Sequence, residues 1–212
     1  MPSQGKTRAA CLIGWPAAHS RSPLIHHYWL RTLGIEGGYV IEAVPPEDFK
    51  DFLFRLSLRG FVGANVTRPH KEHALALSAP DERARAVGAA NTLWFADGEL
   101  RSTNTDVEGF INNLDACAPG WDKTDDALVL GAGGAARAVV FGLIERGIAR
   151  VHLVNRTIDR ARALAARARG GDQNALTRHL TAALAPHRGK VLAGYWPMRG
   201  EADPRPAMEA HD

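Results

Sequence analysis

The stretch "DDALVLGAGGAARAVVFGLIERGIARVHLVNRT", residues 125–157, decides the fold of the second half of this chain. It contains a short apolar run, a glycine-rich turn, a segment of helical length and a second apolar run. This order is typical of a strand–helix–strand unit, in which both strands lie parallel in one sheet and the crossover is right-handed. The stretch therefore predicts an α/β fold with a parallel sheet.

The glycine-rich turn has the spacing of a dinucleotide-binding loop. Gly131, Gly133 and Ala136 form a G-x-G-x-x-A pattern directly after the first apolar run. In such a loop the glycines allow a tight turn and a close approach to a pyrophosphate, and amides at the start of the following helix hold the anion. The alternative is a glycine-rich turn in another kind of α/β unit. The residues predicted to bind the cofactor here are Gly131, Ala132, Gly133, Gly134 and Ala135.

The residues after the second apolar run indicate which dinucleotide is bound. An acidic side chain at this point would hydrogen-bond the ribose 2′-hydroxyl of NAD. This chain instead has Asn155, Arg156 and Thr157. An arginine beside two hydrogen-bonding side chains suits a 2′-phosphate, so we predict NADP as the cofactor. The alternative for Arg156 is a solvated arginine at the start of a helix.

The first half of the chain shows the same alternation of strands and helices. Short apolar runs predict strands, and segments that begin at serine or proline and end at glycine predict helices. Asp97-Gly98 between two alternating segments predicts a β-hairpin. The predicted strands are "AACLIG" (9–14), "GYVIEAV" (38–44) and "GFVGANV" (60–66), and the predicted helices are 22–34 with Ser22 as its N-cap, 45–60 and 70–78.

Four polar clusters follow the predicted strands of this half or begin its loops. Open α/β sheets bind their ligands at the carboxyl ends of the strands, so we expect these clusters to converge. Hydroxyls, amides, a lysine and a carboxylate suit a small polyhydroxylated substrate that carries a carboxylate. The clusters are Ser20 with Ser22; Asn65, Thr67 and Lys71; Gly88, Asn91 and Thr92; and Asn104, Thr105 and Asp106.

Six motifs in this order resemble the shikimate dehydrogenase family. They are "GWPAAHSRSPLIH", "NVTRPHK", "GAANT", "STNTD", "GAGGAARA" and "NRT", and they extend over about residues 10–168. The resemblance implies an NADP-dependent reduction of 3-dehydroshikimate to shikimate in aromatic amino-acid biosynthesis. It also implies that Ser20 and Ser22 bind the substrate carboxylate, and that the ring hydroxyls are held by Asn65, Thr67, Asn91 and Asp106.

By the same resemblance, Lys71 and Asp106 form the catalytic pair. Lysine is rare in this chain, with five among the 26 basic residues, so a lysine within a polar cluster is informative. Hydride delivery to a ketone leaves an alkoxide, and a positioned ammonium both stabilises that charge and supplies a proton. Arginine, with its pKa above 12, seldom gives up a proton. The alternative for Lys71 and Asp106 is an ordinary surface ion pair.

The chain departs from the family most clearly after residue 169. The V-N-T-T segment and the G-x-x-M-L-x-x-Q helix of the family are missing, and "KVLAGYW" (190–196) is the remaining candidate for a third strand. Two smaller departures are His27, where the family usually has asparagine, and Arg68, where it usually has an apolar residue. We therefore expect a C-terminally truncated or frame-disrupted member, in which an N-terminal substrate-binding α/β domain with a mainly parallel sheet precedes an incomplete Rossmann domain. The predicted domains are 1–122 for the substrate, 123–195 for NADP and 196–212 as a disordered tail.

The composition excludes several classes of protein. The chain has 212 residues, of which 45% are hydrophobic and 23% charged, which is typical of a globular protein. No apolar run is long enough for a membrane span and no signal peptide is recognisable, so we expect a cytoplasmic protein. The arginines are scattered, so a net charge of +3 does not indicate nucleic-acid binding. His26, His27, His70 and His73 lack the companions of a zinc site, and we expect no metal.

Three functions stay open on the sequence alone. The first is NADP-dependent shikimate dehydrogenase, with activity weak or absent because the cofactor half is incomplete. The second is quinate/shikimate dehydrogenase, which shares the scaffold; Ser22 and Arg156 favour shikimate and NADP over it. The third is a non-catalytic fragment that binds shikimate. The oligomeric state is not predicted.

Overall fold

The computed structural model describes residues 8–169 and the backbone of residues 192–194. The chain divides into two compact units, one ending at Asn104 and the other beginning at Thr105. In the described part of the chain, no helix combines the length and the apolar character that crossing a membrane requires.

The first unit is built on a six-stranded sheet. Its strands are β1 (Ala9–Gly14), β2 (Gly38–Ala43), β3 (Phe61–Val66), β4 (Ala79–Pro80), β5 (Thr92–Ala96) and β6 (Glu99–Thr103). Their spatial order is β2-β1-β3-β5-β6-β4. Strand β1 is parallel to both β2 and β3, and β4 is parallel to β6, whereas β5 is antiparallel to β3 and β6. The prediction of a mainly parallel sheet is confirmed.

Four helices accompany this sheet. They are α1 (Ser22–Thr32), α2 (Phe49–Phe54), α3 (Lys71–Ala76) and α4 (Glu82–Val87), and a 3-10 turn, Pro46–Asp48, precedes α2. The core of the unit lies between the sheet and helices α2 and α3, where Ile13, Phe49 and Leu56 are almost completely buried. These side chains come from the apolar runs that predicted the strands and from the apolar face of the second helix.

Helix α1 differs from the others because none of its residues is buried. Its apolar side chains are largely accessible to solvent: Leu24 is 67% exposed, Tyr28 58% and Trp29 51%. Contiguous apolar surface of this kind is unusual on a globular unit.

Two local predictions for this unit were wrong, and two elements were not predicted. Ser22 is not the N-cap of α1 but its first residue; Arg21 is the N-cap, and the backbone amide of Ser22 donates to Ser20 Oγ at 3.2 Å. The helix predicted over 45–60 is a 3-10 turn followed by α2, which ends at Phe54. Finally, β4 and α4 were not predicted, although Asp81 caps α4 by accepting from the Ala84 amide at 2.7 Å.

The predicted hairpin is confirmed between β5 and β6. Asp97 and Gly98 have φ values of +54° and +79°. Positive φ at both central residues is the signature of a two-residue turn whose twist matches that of the strands, which is why Asp-Gly is favoured there.

The second unit is built on a three-stranded parallel sheet. Its elements are α5 (Asp106–Cys117), β7 (Asp126–Leu130), α6 (Gly134–Glu145), β8 (Arg150–Val154), α7 (Ile158–Arg169) and β9 (Leu192–Gly194). Strand β7 lies in the centre and is parallel to β8 on one side and to β9 on the other. The third strand predicted within "KVLAGYW" is thus confirmed at Leu192–Gly194. The predicted tail, 196–212, lies outside the described residues.

The core of the second unit explains where its helices lie. Val129, Val140, Leu143 and Leu164 bring β7, α6 and α7 together in one apolar cluster. Helix α5 packs on α6 at Gly142, where an added Cβ would lie 3.2 Å from the Ile111 side chain. This close approach is possible because glycine has no side chain there.

Candidate functional site

The loops after β1 and β3 are held together at the carboxyl ends of these strands. The Thr67 amide donates to Ile13 O at 2.9 Å, and the Trp15 amide donates to Arg68 O at 3.0 Å. Gly14 permits this contact, because a Cβ at that position would overlap the Cγ2 methyl of Thr67. The predicted convergence of these two loops is therefore present in the first unit.

The loop after α4 joins the same end of the sheet. The Asn91 amide donates to Thr103 O at 3.1 Å, and Asn91 O accepts from the Val66 amide at 2.8 Å. The Ala90 amide donates to Lys71 O at 2.9 Å, so this loop also contacts the first residue of α3. Buried Asn104 supports the loop by donating from Nδ2 to Ala89 O at 2.9 Å. Asn104 thus has a structural role within its cluster.

Lys71 is half-buried and begins α3. The residue before it, His70, is completely buried: its Nε2 donates to Val44 O at 2.7 Å, and its ring stacks on Phe49 with centroids 4.4 Å apart. The backbone of Lys71 is therefore held from two sides, by the side chain of His70 and by the Ala90 amide. The side chain of Lys71 therefore extends from an anchored backbone.

The serine pair and the amide cluster are connected through hydrogen bonds between side chains. Ser20 Oγ donates to Ser22 Oγ at 3.1 Å. Asn65 Nδ2 donates to Thr92 Oγ1 at 3.3 Å, and Thr92 Oγ1 donates to Asn91 Oδ1 at 3.0 Å. Four of the predicted substrate-binding residues, Ser20, Ser22, Asn65 and Asn91, thus belong to two hydrogen-bonded groups of the first unit. Thr67 lies beside them in the loop after β3.

Tyr39 is the residue of this site that the sequence did not reveal. Its hydroxyl donates to Asn65 Oδ1 at 2.7 Å, and the side chain of Ser22 also hydrogen-bonds it. Burial raises the pKa of Tyr39 well above its usual value, and the neighbouring Cys11 thiol adds to this effect. A tyrosine in the apolar run "GYVIEAV" is typical of a core residue. A buried phenol needs a polar partner, and this requirement was the available signal.

Asp106 is the first residue of α5 and therefore belongs to the second unit, whereas Lys71 belongs to the first. Asp106 is half-buried. The pairing of Asp106 with Lys71 stays a prediction.

The glycine loop has the conformation that a phosphate-binding turn requires. Gly131 has φ +110° and its amide donates to Val154 O at 2.7 Å, which ties the loop after β7 to the end of β8. Gly133 is the N-cap of α6, with φ −86°. A Cβ added at Gly131 or Gly133 would meet no atom within 4 Å. The space over the loop is therefore open, and the amides at the start of a twelve-residue helix lie beside it.

The residues predicted to read the ribose lie next to this loop. Asn155, Arg156 and Thr157 follow β8, whose last residue, Val154, is in register with Leu130 at the end of β7. The side chain of Arg156 is exposed, and Asn155 Nδ2 donates to Thr157 O at 2.7 Å. Strand β9 lies on the other side of β7, so the chain reverses its direction of winding between β7 and β9. Dinucleotides bind at such reversal points in doubly wound sheets.

A cluster of charged side chains lies at the amino-terminal ends of β7 and β8. Asp126, the first residue of β7, is buried and accepts two hydrogen bonds of 2.7 Å from Arg150 and one of 3.0 Å involving His152 Nε2. Because ligands bind at the carboxyl ends of parallel strands, we assign this cluster to the joining of β7 and β8.

Family models match two parts of the chain. The model described as "Shikimate dehydrogenase substrate binding domain" matches residues 12–93, and the model described as "Shikimate / quinate 5-dehydrogenase" matches residues 120–185. The first match covers the hydrogen-bonded groups of the first unit, and the second covers the glycine loop.

Curated relatives are similar over most of the chain. A "Shikimate dehydrogenase (NADP(+))" of Rhodopseudomonas palustris is 75% identical over 160 residues, which are 76% of this chain and 58% of the relative. A protein of the same name from Nitrobacter hamburgensis is 75% identical over 165 residues, which are 78% of this chain and 58% of the relative. The chain thus spans somewhat more than half the length of these relatives.

Solved structures resemble the fold described above. The shikimate dehydrogenase of Aquifex aeolicus has a TM-score of 0.72 and 35% identity, and the match covers 77% of this chain and 61% of that one. The enzyme of Thermus thermophilus, solved in complex with NADP(H) and shikimate, has a TM-score of 0.67 and 42% identity, with 76% of this chain and 60% of that one covered.

Proposed function

The chain belongs to the shikimate dehydrogenase family, and from this premise we propose that it acts in the NADP-dependent interconversion of 3-dehydroshikimate and shikimate, a step of aromatic amino-acid biosynthesis. One observation carries the proposal. The serine pair, the amide cluster and the start of α3, where Lys71 lies, are at the same end of the first sheet. These groups match the chemistry of a small carboxylate with several ring hydroxyls. We also propose a cytoplasmic location, where this pathway has its NADP.

Within this proposal, residues 1–122 bind the substrate. The hydroxyls of Ser20 and Ser22 donate to its carboxylate, since both lie at the start of α1 with their oxygens 3.1 Å apart. Neutral groups hold the ring hydroxyls, because amides and hydroxyls can both donate to and accept from an alcohol. The neutral residues proposed for this role are Asn65, Thr67 and Asn91, and the carboxylate of Asp106 is proposed to accept from a ring hydroxyl.

Lys71 and Asp106 are the proposed catalytic pair. The ammonium of Lys71 stabilises the oxygen of the reacting carbonyl as negative charge develops there, and it delivers the proton that completes the alcohol. Asp106 orients the ammonium and accepts a hydrogen bond from a substrate hydroxyl. In the reverse direction the same lysine, unprotonated, removes the proton from the alcohol.

Residues 123–195 are proposed to bind NADP, which supplies or takes up the hydride when bound. The open space over Gly131 and Gly133 fits a pyrophosphate at the start of α6, together with Ala132, Gly134 and Ala135. The exposed guanidinium of Arg156, flanked by Asn155 and Thr157, fits the 2′-phosphate. The strand reversal between β7 and β9 supports the same position.

Two other functions have specific support. Quinate oxidation is favoured by the shared description of the matching family model, "Shikimate / quinate 5-dehydrogenase". Binding without turnover is favoured by the sequence after residue 169, in which the family's V-N-T-T and G-x-x-M-L-x-x-Q patterns do not occur. Quinate has one more hydroxyl, at the carbon that carries the carboxylate, so the two substrates differ beside the proposed serine contacts.

One experiment separates the three functions. Binding of shikimate and of quinate to the purified chain is measured by calorimetry, and NADP reduction with each is followed by the absorbance of the reduced nicotinamide. Shikimate binding with NADP-dependent turnover supports the main proposal. Binding without turnover selects the binding function, and a higher kcat/KM for quinate selects the second enzyme. Absence of binding to both refutes all three.

A further inference from the structure

Tyr39 lies at the centre of the substrate-binding groups but has no role in the proposed reaction so far. It lies in β2, in register with Ala10 of β1, and its side chain is 3% exposed. Its ring stacks face to face on His26 of α1, with centroids 3.8 Å apart and planes 9° from parallel. Strand and stacked ring together fix the position of the phenol oxygen, 2.7 Å from Asn65 Oδ1.

The hydroxyl of Tyr39 begins a series of hydrogen bonds that runs in one direction through the amide cluster. The phenol donates to Asn65 Oδ1 at 2.7 Å. Asn65 Nδ2 then donates to Thr92 Oγ1, which donates to Asn91 Oδ1. Hydrogen bonds that all run in one direction polarise each other and strengthen the series.

This direction determines which atom of the Asn65 amide is available to a ligand. The oxygen is occupied by a phenol whose buried environment keeps it protonated, and a protonated phenol can donate. The nitrogen carries two hydrogens, and Thr92 accepts one of them. The second hydrogen is left to donate to a bound molecule.

We propose that Tyr39 is a positioning residue that fixes the orientation of the Asn65 amide, so that Asn65 acts as a hydrogen-bond donor to the substrate. This inference rests on the proposed function, because it specifies how the same site recognises its ligand. Both an alcohol oxygen and a ketone oxygen accept hydrogen bonds, so a fixed donor serves the substrate and the product of a reversible oxidation alike. A flipped amide would present its oxygen, which cannot hydrogen-bond a ketone.

The test removes the phenol oxygen and leaves the ring. Tyr39→Phe keeps the stack on His26 and the buried volume, so the variant is expected to fold. We expect its shikimate Kd, measured by calorimetry, to rise about 5- to 10-fold, the effect of losing one well-oriented hydrogen bond. Tyr28→Phe is the matched control, because Tyr28 is 58% exposed and the loss of its hydroxyl should leave the Kd unchanged. An unchanged Kd in Tyr39→Phe overturns the proposal.

A double-mutant cycle tests whether Tyr39 acts through Asn65. In an Asn65→Ala background, Tyr39→Phe is expected to have little further effect on the Kd, so the two effects are not multiplicative. Equal weakening in both backgrounds would show that Tyr39 acts on another group, which contradicts the proposal. A merely structural role of the tyrosine would give this second result.

A readout that needs no ligand separates this inference from the proposed function. The side-chain amide resonances of Asn65 are compared by NMR in the wild type, Tyr39→Phe and Tyr28→Phe. We expect them to shift and broaden in Tyr39→Phe alone, because its Oδ1 has lost the donor that fixes the amide. If the wild type binds no shikimate, the proposed function fails while these resonances still decide on Tyr39; unchanged resonances in Tyr39→Phe overturn its role.

Discussion

His70 shows how a single buried residue supports the site. It is completely buried, and in the described part of the chain its Nδ1 has no hydrogen-bond partner. Its Nε2 donates to Val44 O, which requires the neutral ring to carry its proton on that nitrogen. Burial lowers the pKa of His70, partly opposed by the bond to Val44. His70 therefore stays neutral while it holds the backbone that precedes Lys71.

The lowered pKa of His70 predicts a loss of stability in acid. Above the unfolded pKa of about 6.5, His70 is neutral in both states and its contribution is fully present. As the pH falls below that value, the unfolded chain takes up a proton that the native state resists, so the free energy of unfolding decreases. Urea midpoints measured between about pH 7.5 and about pH 5 should fall less steeply in His70→Phe than in the wild type.

His19 offers the control for this experiment because it is exposed. His19→Gln should show the same pH dependence as the wild type. If His70→Phe also follows the wild-type curve, another group causes the acid sensitivity.

Lys71 carries the chemistry of the proposal, and its replacement separates binding from turnover. Lys71→Ala is expected to lower kcat about 100-fold or more, since it removes the general acid, while the shikimate Kd changes far less. Lys71→Arg keeps the charge but seldom gives up a proton, so its kcat should also stay low. An unchanged kcat in Lys71→Ala, measured in the NADP-dependent assay, would remove Lys71 from the chemistry.

The site residues differ in how well the sequence predicts them. Ser20, Ser22 and Lys71 could be named as candidates because polar residues after predicted strands have few structural reasons to be there, and Asn65 because it is a polar residue near the end of such a strand. Tyr39 could not, because an aromatic residue in an apolar strand has an obvious role in the core. Its polar function depends on the register of β2 against β1 and on the side chain of Asn65, which lies 26 positions away in the sequence.

At the scale of elements, the turn between β7 and α6 contains two glycines with different requirements. Gly131 has φ +110°, a conformation that side chains other than glycine rarely adopt. Gly133 has an ordinary φ, and a Cβ there would meet no protein atom. The backbone thus requires glycine at position 131, whereas at position 133 the proposed cofactor is the reason for it.

Replacing each glycine separately tests this distinction. Gly131→Ala should reduce the free energy of unfolding by about 1–2 kcal/mol, because alanine is strained at positive φ. Gly133→Ala should change it by less than about 0.5 kcal/mol and yet weaken NADP binding, measured by calorimetry, because the methyl group occupies the space of the pyrophosphate. Gly133→Ala that binds NADP as the wild type does would place the phosphates elsewhere.

Elements with strong periodicity were predicted more reliably than those set by tertiary contacts. Strands β1, β3 and β7 are apolar runs, and each lies where the sequence predicted it. Strand β4 has two residues and exists because it pairs with β6, so no local pattern reveals it. The predicted start of α1 was wrong by one residue. The Ser22 amide donates to Ser20 Oγ, whereas the prediction treated Ser22 itself as the capping residue.

At the scale of the whole molecule, the order of the two units follows from the motifs. The motifs predicted to bind the substrate precede the glycine turn in the sequence. In the structure the hydrogen-bonded groups lie before Asn104 and the glycine loop lies after it. The third strand was predictable from "KVLAGYW" because a buried parallel strand needs a continuous apolar run. The position of this strand beside β7 rather than β8 was not predictable, because strand order depends on crossover connections that leave no local pattern in the sequence.

The open apolar side of α1 has a consequence for the life of the protein in a cell. Leu24, Tyr28 and Trp29 present to solvent the kind of surface that chaperones and proteases use to recognise incompletely folded polypeptides. We therefore expect the steady-state amount of this chain to be governed by degradation as much as by synthesis. The proposed activity in a cell would then depend on the half-life of the chain as well as on the arrangement of the proposed catalytic groups.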